Sequence, residues 1–127
     1  MKVGIKNQIK KTVVEGLTAK VMGSGRLDVF ATPAMVAMME EAAHTSVETE
    51  LEEGQGTVGT SMTVSHLAAT PVGMEVTCES ELVEVDGRKL VFEIKAMDEA
   101  GLIGEARHER FIIENEKFLA KTNAKLK

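Results

Sequence analysis

The run Phe30-Ala31-Thr32-Pro33-Ala34-Met35-Val36-Ala37-Met38-Met39-Glu40 has the makings of a buried helix that carries a misplaced carboxylate. Thr32 offers a hydroxyl N-cap, and Pro33 follows at the first helical position, where a missing N–H costs nothing. At about 100° per residue, Met35, Val36, Met39, Ala43 and Val47 fall within one broad apolar stripe. Glu40 sits on the edge of that stripe, whereas Glu41 and Glu48 project away from it. A carboxylate in apolar surroundings is costly unless hydrogen-bonded or protonated, and its pKa tends to rise. Glu40 is therefore a candidate for chemistry.

Working outward, residues 8–21 hold Val13, Val14, Leu17 and Val21 and are expected to form a first strand. Gly23-Ser24-Gly25 makes a loop, and the helix runs over about 33–50 until Gly54 and Gly56 supply an exit. Beyond it the pattern turns to period two. Val58, Thr60, Met62, Val64, His66 and Ala68 alternate with polar or small neighbours, and Thr70-Pro71-Val72-Gly73 turns the chain. Strands at 74–85 and 88–97 are joined by Asp86-Gly87, a hairpin signal; 102–114 is the last strand. The tail from Glu116 could form a short helix with Lys117, Lys121 and Lys125 on one face.

One helix so rich in Ala and Met needs burial on most sides. A strongly curved antiparallel sheet wrapped around it supplies that burial. The expectation is an α+β hot-dog fold, with one long central helix and about five strands in a single domain over 1–127. Sheets of this kind leave edges that pair with a second copy, so a homodimer is expected.

Composition narrows the function classes. The net charge of −5, with no Trp or Tyr, leaves neither a basic footprint nor stacking platforms for nucleic acid. No apolar run reaches the roughly 18–20 residues of a membrane span, and the charged N-terminus lacks a signal-peptide core. The single cysteine, Cys78, cannot form an internal disulfide and reads as a packing residue; a cytoplasmic setting fits. No metal site or nucleotide fingerprint stands out.

His66 is the second anomaly, an imidazole expected to face inward with Val58, Met62, Val64 and Ala68. It can be a core histidine satisfied by a backbone carbonyl, or a base near neutral pH. Thr32 can be a helix cap only, or its hydroxyl can face a ligand. Thr32 and Glu40 lie eight residues apart, about 12 Å along a straight helix, so they flank a substrate or act across two subunits. His44 reads as solvated, and His108-Glu109-Arg110 as a surface ion-pair cluster.

Phe30-Ala31-Thr32, Met38-Met39-Glu40, Gly56-Thr57-Val58-Gly59-Thr60 and Val64-Ser65-His66-Leu67-Ala68-Ala69-Thr70-Pro71 together resemble the fluoroacetyl-CoA thioesterase family of hot-dog proteins. His108-Glu109-Arg110 and Glu116-Lys117-Phe118 continue the likeness, from about residue 28 onward. The resemblance implies catalytic roles for Thr32, Glu40 and His66, a thioester-binding role for Gly59, and a dimer with sites near its interface. It implies an acyl-CoA substrate, with CoA part of the substrate and no separate cofactor. The fluoroacetyl-specific member carries phenylalanines before its helix, whereas Gly23-Ser24-Gly25-Arg26 has none, which points to a broader acyl-CoA hydrolase. The competing expectations are a non-catalytic acyl-CoA or small-ligand binding module and a hot-dog 3-hydroxyacyl-thioester dehydratase.

Overall fold

A computed structural model describes residues 1–126. Five antiparallel strands, β1 (Lys6–Thr12), β2 (Gln55–His66), β3 (Glu75–Asp86), β4 (Lys89–Asp98) and β5 (Gly101–Glu114), form one sheet in the order β1-β3-β4-β5-β2. The long helix α2 (Thr32–Ser46) lies on its inner face, preceded by the short α1 (Ala19–Met22) and followed at the far end of the chain by α3 (Asn115–Asn123). This is the hot-dog arrangement.

The buried face of α2 consists of two adjacent rows, Ala34-Met38-Ala42 and Met35-Met39-Ala43, with Val47 beyond them. Val36 is only half-buried, so the seam lies further round the helix than a stripe centred on Met35 and Val36. The alanines let the sheet come close enough to touch the helix backbone. Asn7 on β1 and Ser80 on β3 both donate to the Ala42 carbonyl, at 3.0 and 3.2 Å. Against the helix pack Val76, Cys78 and Leu82 from β3, Phe92, Ile94 and Ala96 from β4, and Ile103 from β5. Thr32, Val36 and Glu40, spaced four apart, occupy the flank beside this seam.

The strand expected over 8–21 ends at Thr12. Val14, Leu17 and Val21 are spaced by three and four, a helical rather than a strand period, and the chain there forms a 3-10 turn and α1. Thr18 caps α1 by accepting from the Val21 N–H, and Gly23 ends it at φ +80°. The β3–β4 hairpin has Gly87-Arg88 as its two loop residues, since Asp86 pairs with Lys89. Gly87 at φ +61° takes the first central position of a type II′ turn.

Candidate active site

Thr32 is the first residue of α2, and Ala31 occupies the cap position in extended geometry. The Thr32 hydroxyl therefore makes no capping bond, contrary to the sequence reading. Its Oγ1 lies instead 2.7 Å from His66 Nδ1 at the end of β2. Gly104, the cross-strand partner of His66, makes this approach possible. A Cβ there would stand 2.7 Å from the Met35 Sδ, one turn beyond Thr32. Burial lowers the His66 pKa below its ordinary 6.5, and the Ala68 backbone pulls the other way. The ring is thus neutral near pH 7. Its Nε2 is buried without a hydrogen-bond partner. If Nδ1–H donates to Thr32, Nε2 carries a free lone pair; if Thr32 donates to Nδ1, Nε2 holds an unused proton.

Glu40 lies two turns along the same flank. It does not sit in the apolar surroundings its helical position suggests, because Arg110 Nη1 donates to its Oε2 at 3.1 Å. Arg110 is otherwise enclosed. Its Nε donates to Thr57 Oγ1 at 2.8 Å, its Nη2 to the Thr57 carbonyl at 2.9 Å, and Nη1 also reaches His108 Nε2 at 3.1 Å. His108 Nδ1 is 2.8 Å from the Ser61 carbonyl, which only accepts, so Nδ1 carries the proton and a neutral ring accepts at Nε2. Burial first, and then the Arg110 charge, lower the His108 pKa, while the Ser61 carbonyl and Glu40 oppose them. The carboxylate is anchored through one oxygen and keeps Oε1 for other work.

His108 and Arg110 are buried residues of the inner face, not members of a surface ion-pair cluster. The signal was available: Ala106, His108 and Arg110 share parity in β5. The β2 pattern departs from expectation for a different reason. A bulge between Gly59 and Ser61 leaves Thr60 out of the ladder with β5 and reverses the alternation. Met62, Val64 and His66 face inward as expected, but Thr57 and Gly59, not Val58, share their face. Val58 pairs with the exposed Phe111. Gly59 consequently lies under Glu40: a Cβ on it would meet Oε2 at 2.8 Å, His108 Cε1 at 3.2 Å and Arg110 Nη1 at 3.3 Å. Its bareness makes room for the carboxylate.

Within one chain the structure joins Thr32 to His66 and Glu40 to Gly59, as two separate groups. His44 faces Glu48 on the partly exposed side of the helix. Cys78 is buried in the core, and its thiol is pushed up to about 12, chiefly by burial. A concavity of about 1060 Å³ lies over charged residues of the sheet such as Glu79, Glu93, Lys95 and Arg107, and includes neither group. No helix is long and apolar enough to cross a membrane among the described residues.

Solved structures give the class first. A thioesterase-superfamily member from Thermus thermophilus superposes with a TM-score of 0.89, at 28% identity over 97% of this chain and 91% of that one. The chain is a thioester hydrolase of the hot-dog fold. It belongs to the fluoroacetyl-CoA-specific thioesterase family, FlK, which matches residues 13–116. The fluoroacetyl-CoA thioesterase of Streptantibioticus cattleyicolor is 45% identical over 98 residues, 77% of this chain and 70% of that protein. A variant of FlK in complex with acetyl-CoA gives a TM-score of 0.95 at 36% identity, covering all of both chains.

Proposed function

We propose that this thioester hydrolase cleaves small or medium acyl-CoA thioesters to the free acid and CoA, as a cytoplasmic homodimer using Thr32, Glu40 and His66. The observation that carries the proposal is the Thr32–His66 contact with its buried, unpartnered Nε2. Thr32 accepts the Nδ1 proton and fixes the ring, so that the Nε2 lone pair faces the reacting centre. A histidine neutral at pH 7 in that geometry is a suitable general base for water. Water attacks the thioester carbonyl as its proton passes to Nε2, and the tetrahedral intermediate expels the CoA thiolate, which takes up a proton. Glu40 acts through Oε1, orienting the water and stabilising the imidazolium. Pairing with Arg110 weakens it as a nucleophile and favours this role over direct attack. A backbone N–H beside Gly59 stabilises the developing oxyanion.

Small acyl groups fit the relative's acetyl-CoA complex, and the aromatic-free Gly23–Arg26 loop favours no particular fluorinated acyl group. The two groups of residues meet if two copies pair. The β1 edge carries Lys6, Lys10 and Lys11, which discourage strand addition; the β2 edge carries no Lys, Arg, Asp or Glu. Antiparallel pairing of two β2 edges about the stretch between Gly59 and His66 carries the Thr32–His66 pair of one copy toward Glu40 of the other.

Free-thiol release from a panel of short and medium acyl-CoAs tests the reading. Turnover by the wild type, reduced about a hundredfold or more in His66→Ala, is expected. Losses below tenfold in both Glu40→Ala and His66→Ala, with folding intact, would contradict the assignment. Enoyl absorbance without thiol release would mark a dehydratase instead, and tight binding without either product a binding module.

A further inference from the structure

Thr70 is fully buried although polar, four residues beyond His66 and outside the two groups described above. Its hydroxyl donates to Asp98 Oδ2 at 2.8 Å, and its carbonyl accepts from the Phe30 N–H at 2.9 Å. Phe30 stands two residues before Thr32, and the adjacent Val29 forms a bridge with Pro71. Asp98 in turn closes the β4–β5 turn, its Oδ1 accepting from the N–H groups of Ala100 and Gly101 at 2.8 and 3.1 Å. Thr70 thus joins three segments: its carbonyl holds the lead-in to Thr32, its own place in the chain the lead-out from His66, and its hydroxyl the carboxylate that closes the turn between β4 and β5.

We infer that Thr70 and Asp98 are positioning residues, which set the 2.7 Å contact between Thr32 and His66 by clamping the segments that carry them. This role rests on the proposed use of that pair in hydrolysis. The clamp is separable from the sheet. The Leu67 and Ala68 N–H groups bond to the Ile103 carbonyl, and Ala31 to the Leu17 carbonyl, whether or not the Thr70 hydroxyl is present. Without the hydroxyl, Thr70 still accepts from the Phe30 N–H, but the joined lead-in and lead-out lose the side-chain anchor that fixes them to Asp98. Burial pushes the Asp98 carboxyl up, but Thr70 and the two N–H donors outweigh it and hold it below the usual carboxylate range. It therefore accepts as an anion throughout the neutral range. A displacement of the order of 1 Å far from the reacting atoms is enough to slow chemistry markedly.

The test compares wild type, Thr70→Val, Thr70→Ser and Asp98→Asn by steady-state kinetics, thermal melting and the ring ¹⁵N shifts of His66. In Thr70→Val, which keeps the shape and removes the hydroxyl, kcat should fall about tenfold or more with KM within about threefold, and the His66 ring shifts should move. Thr70→Ser should restore both. Asp98→Asn, whose amide cannot serve Thr70 and both N–H groups equally, should move both readouts in the same direction. If Thr70→Val does not fold, Asp98→Asn carries the test. Unchanged kcat and ring shifts with a lowered melting temperature would overturn the inference and leave the link purely stabilising. If the wild type releases no thiol, the hydrolytic reading fails, and the ring shifts alone decide whether the clamp sets the Thr32–His66 geometry.

Discussion

At Gly59 a single methyl group would meet the Glu40 carboxylate at 2.8 Å and displace it from its proposed working position. The carboxylate end of Glu40 is the mobile member among the atoms an alanine Cβ would strike, so it is the one that gives way. Gly59→Ala is expected to fold with a modest loss of melting temperature and to lose about tenfold in kcat. Unchanged kcat in the folded variant would mean that the Glu40 position is immaterial. His66 makes a second prediction at this scale. Burial lowers its pKa, so the neutral base persists from alkaline pH down past 6.5, and protonation removes it only below that value. The acid limb of kcat/KM should accordingly lie below pH 6.5 and disappear with the residual activity of His66→Ala. An acid limb above 6.5 would contradict a buried neutral base.

Among the elements, the order of helix and strands was legible because their apolar periods differ. The stretch 74–114 alternates cleanly and its hairpins are marked by Gly87 and Gly101, so β3, β4 and β5 fall within a residue or two of expectation. The first strand is shorter than expected because Val14, Leu17 and Val21 follow a helical spacing and belong to the 3-10 turn and α1 region beyond Thr12. In β2 the alternation looked unbroken, yet the bulge at Thr60 reverses it, and nothing in the local residue types fixes where a ladder slips. That one bulge hides the relation of Gly59 to Glu40. Arg110 and His108 were missed because a charged run suggests solvent, although their parity in β5 placed both on the inner face. Thr32, Glu40 and His66 stood out because polar side chains on apolar faces are conspicuous; which of them meet depends on tertiary geometry. The uncharged β2 edge makes its own prediction. Ser61→Lys, exposed and paired across the ladder with Glu109, is benign within one chain but opposes a second β2. It should convert a dimer to monomers by light scattering and abolish turnover. Retention of the dimer would place the interface elsewhere.

For the whole molecule, the distance along α2 is decisive. Thr32 and Glu40 are separated by about 12 Å of helix. A single chain therefore offers His66 with its Thr32 at one end of the flank, and Glu40 with Arg110 and Gly59 at the other. In the proposed dimer, assembly through β2 would turn two half-equipped chains into two complete sites. Subunit complementation measures this directly. His66→Ala and Glu40→Ala proteins, each nearly inactive, are mixed, dissociated and reassociated, and thiol release is followed on the best acyl-CoA substrate. In a mixed dimer one site inherits both defects, and the other recovers an intact His66 and an intact Glu40. With random reassociation of equal amounts, about half the dimers are mixed and half the sites in each are intact, so activity should return to about a quarter of wild type. Mixtures no more active than their parents, despite demonstrated exchange of subunits, would contradict a site shared between two chains.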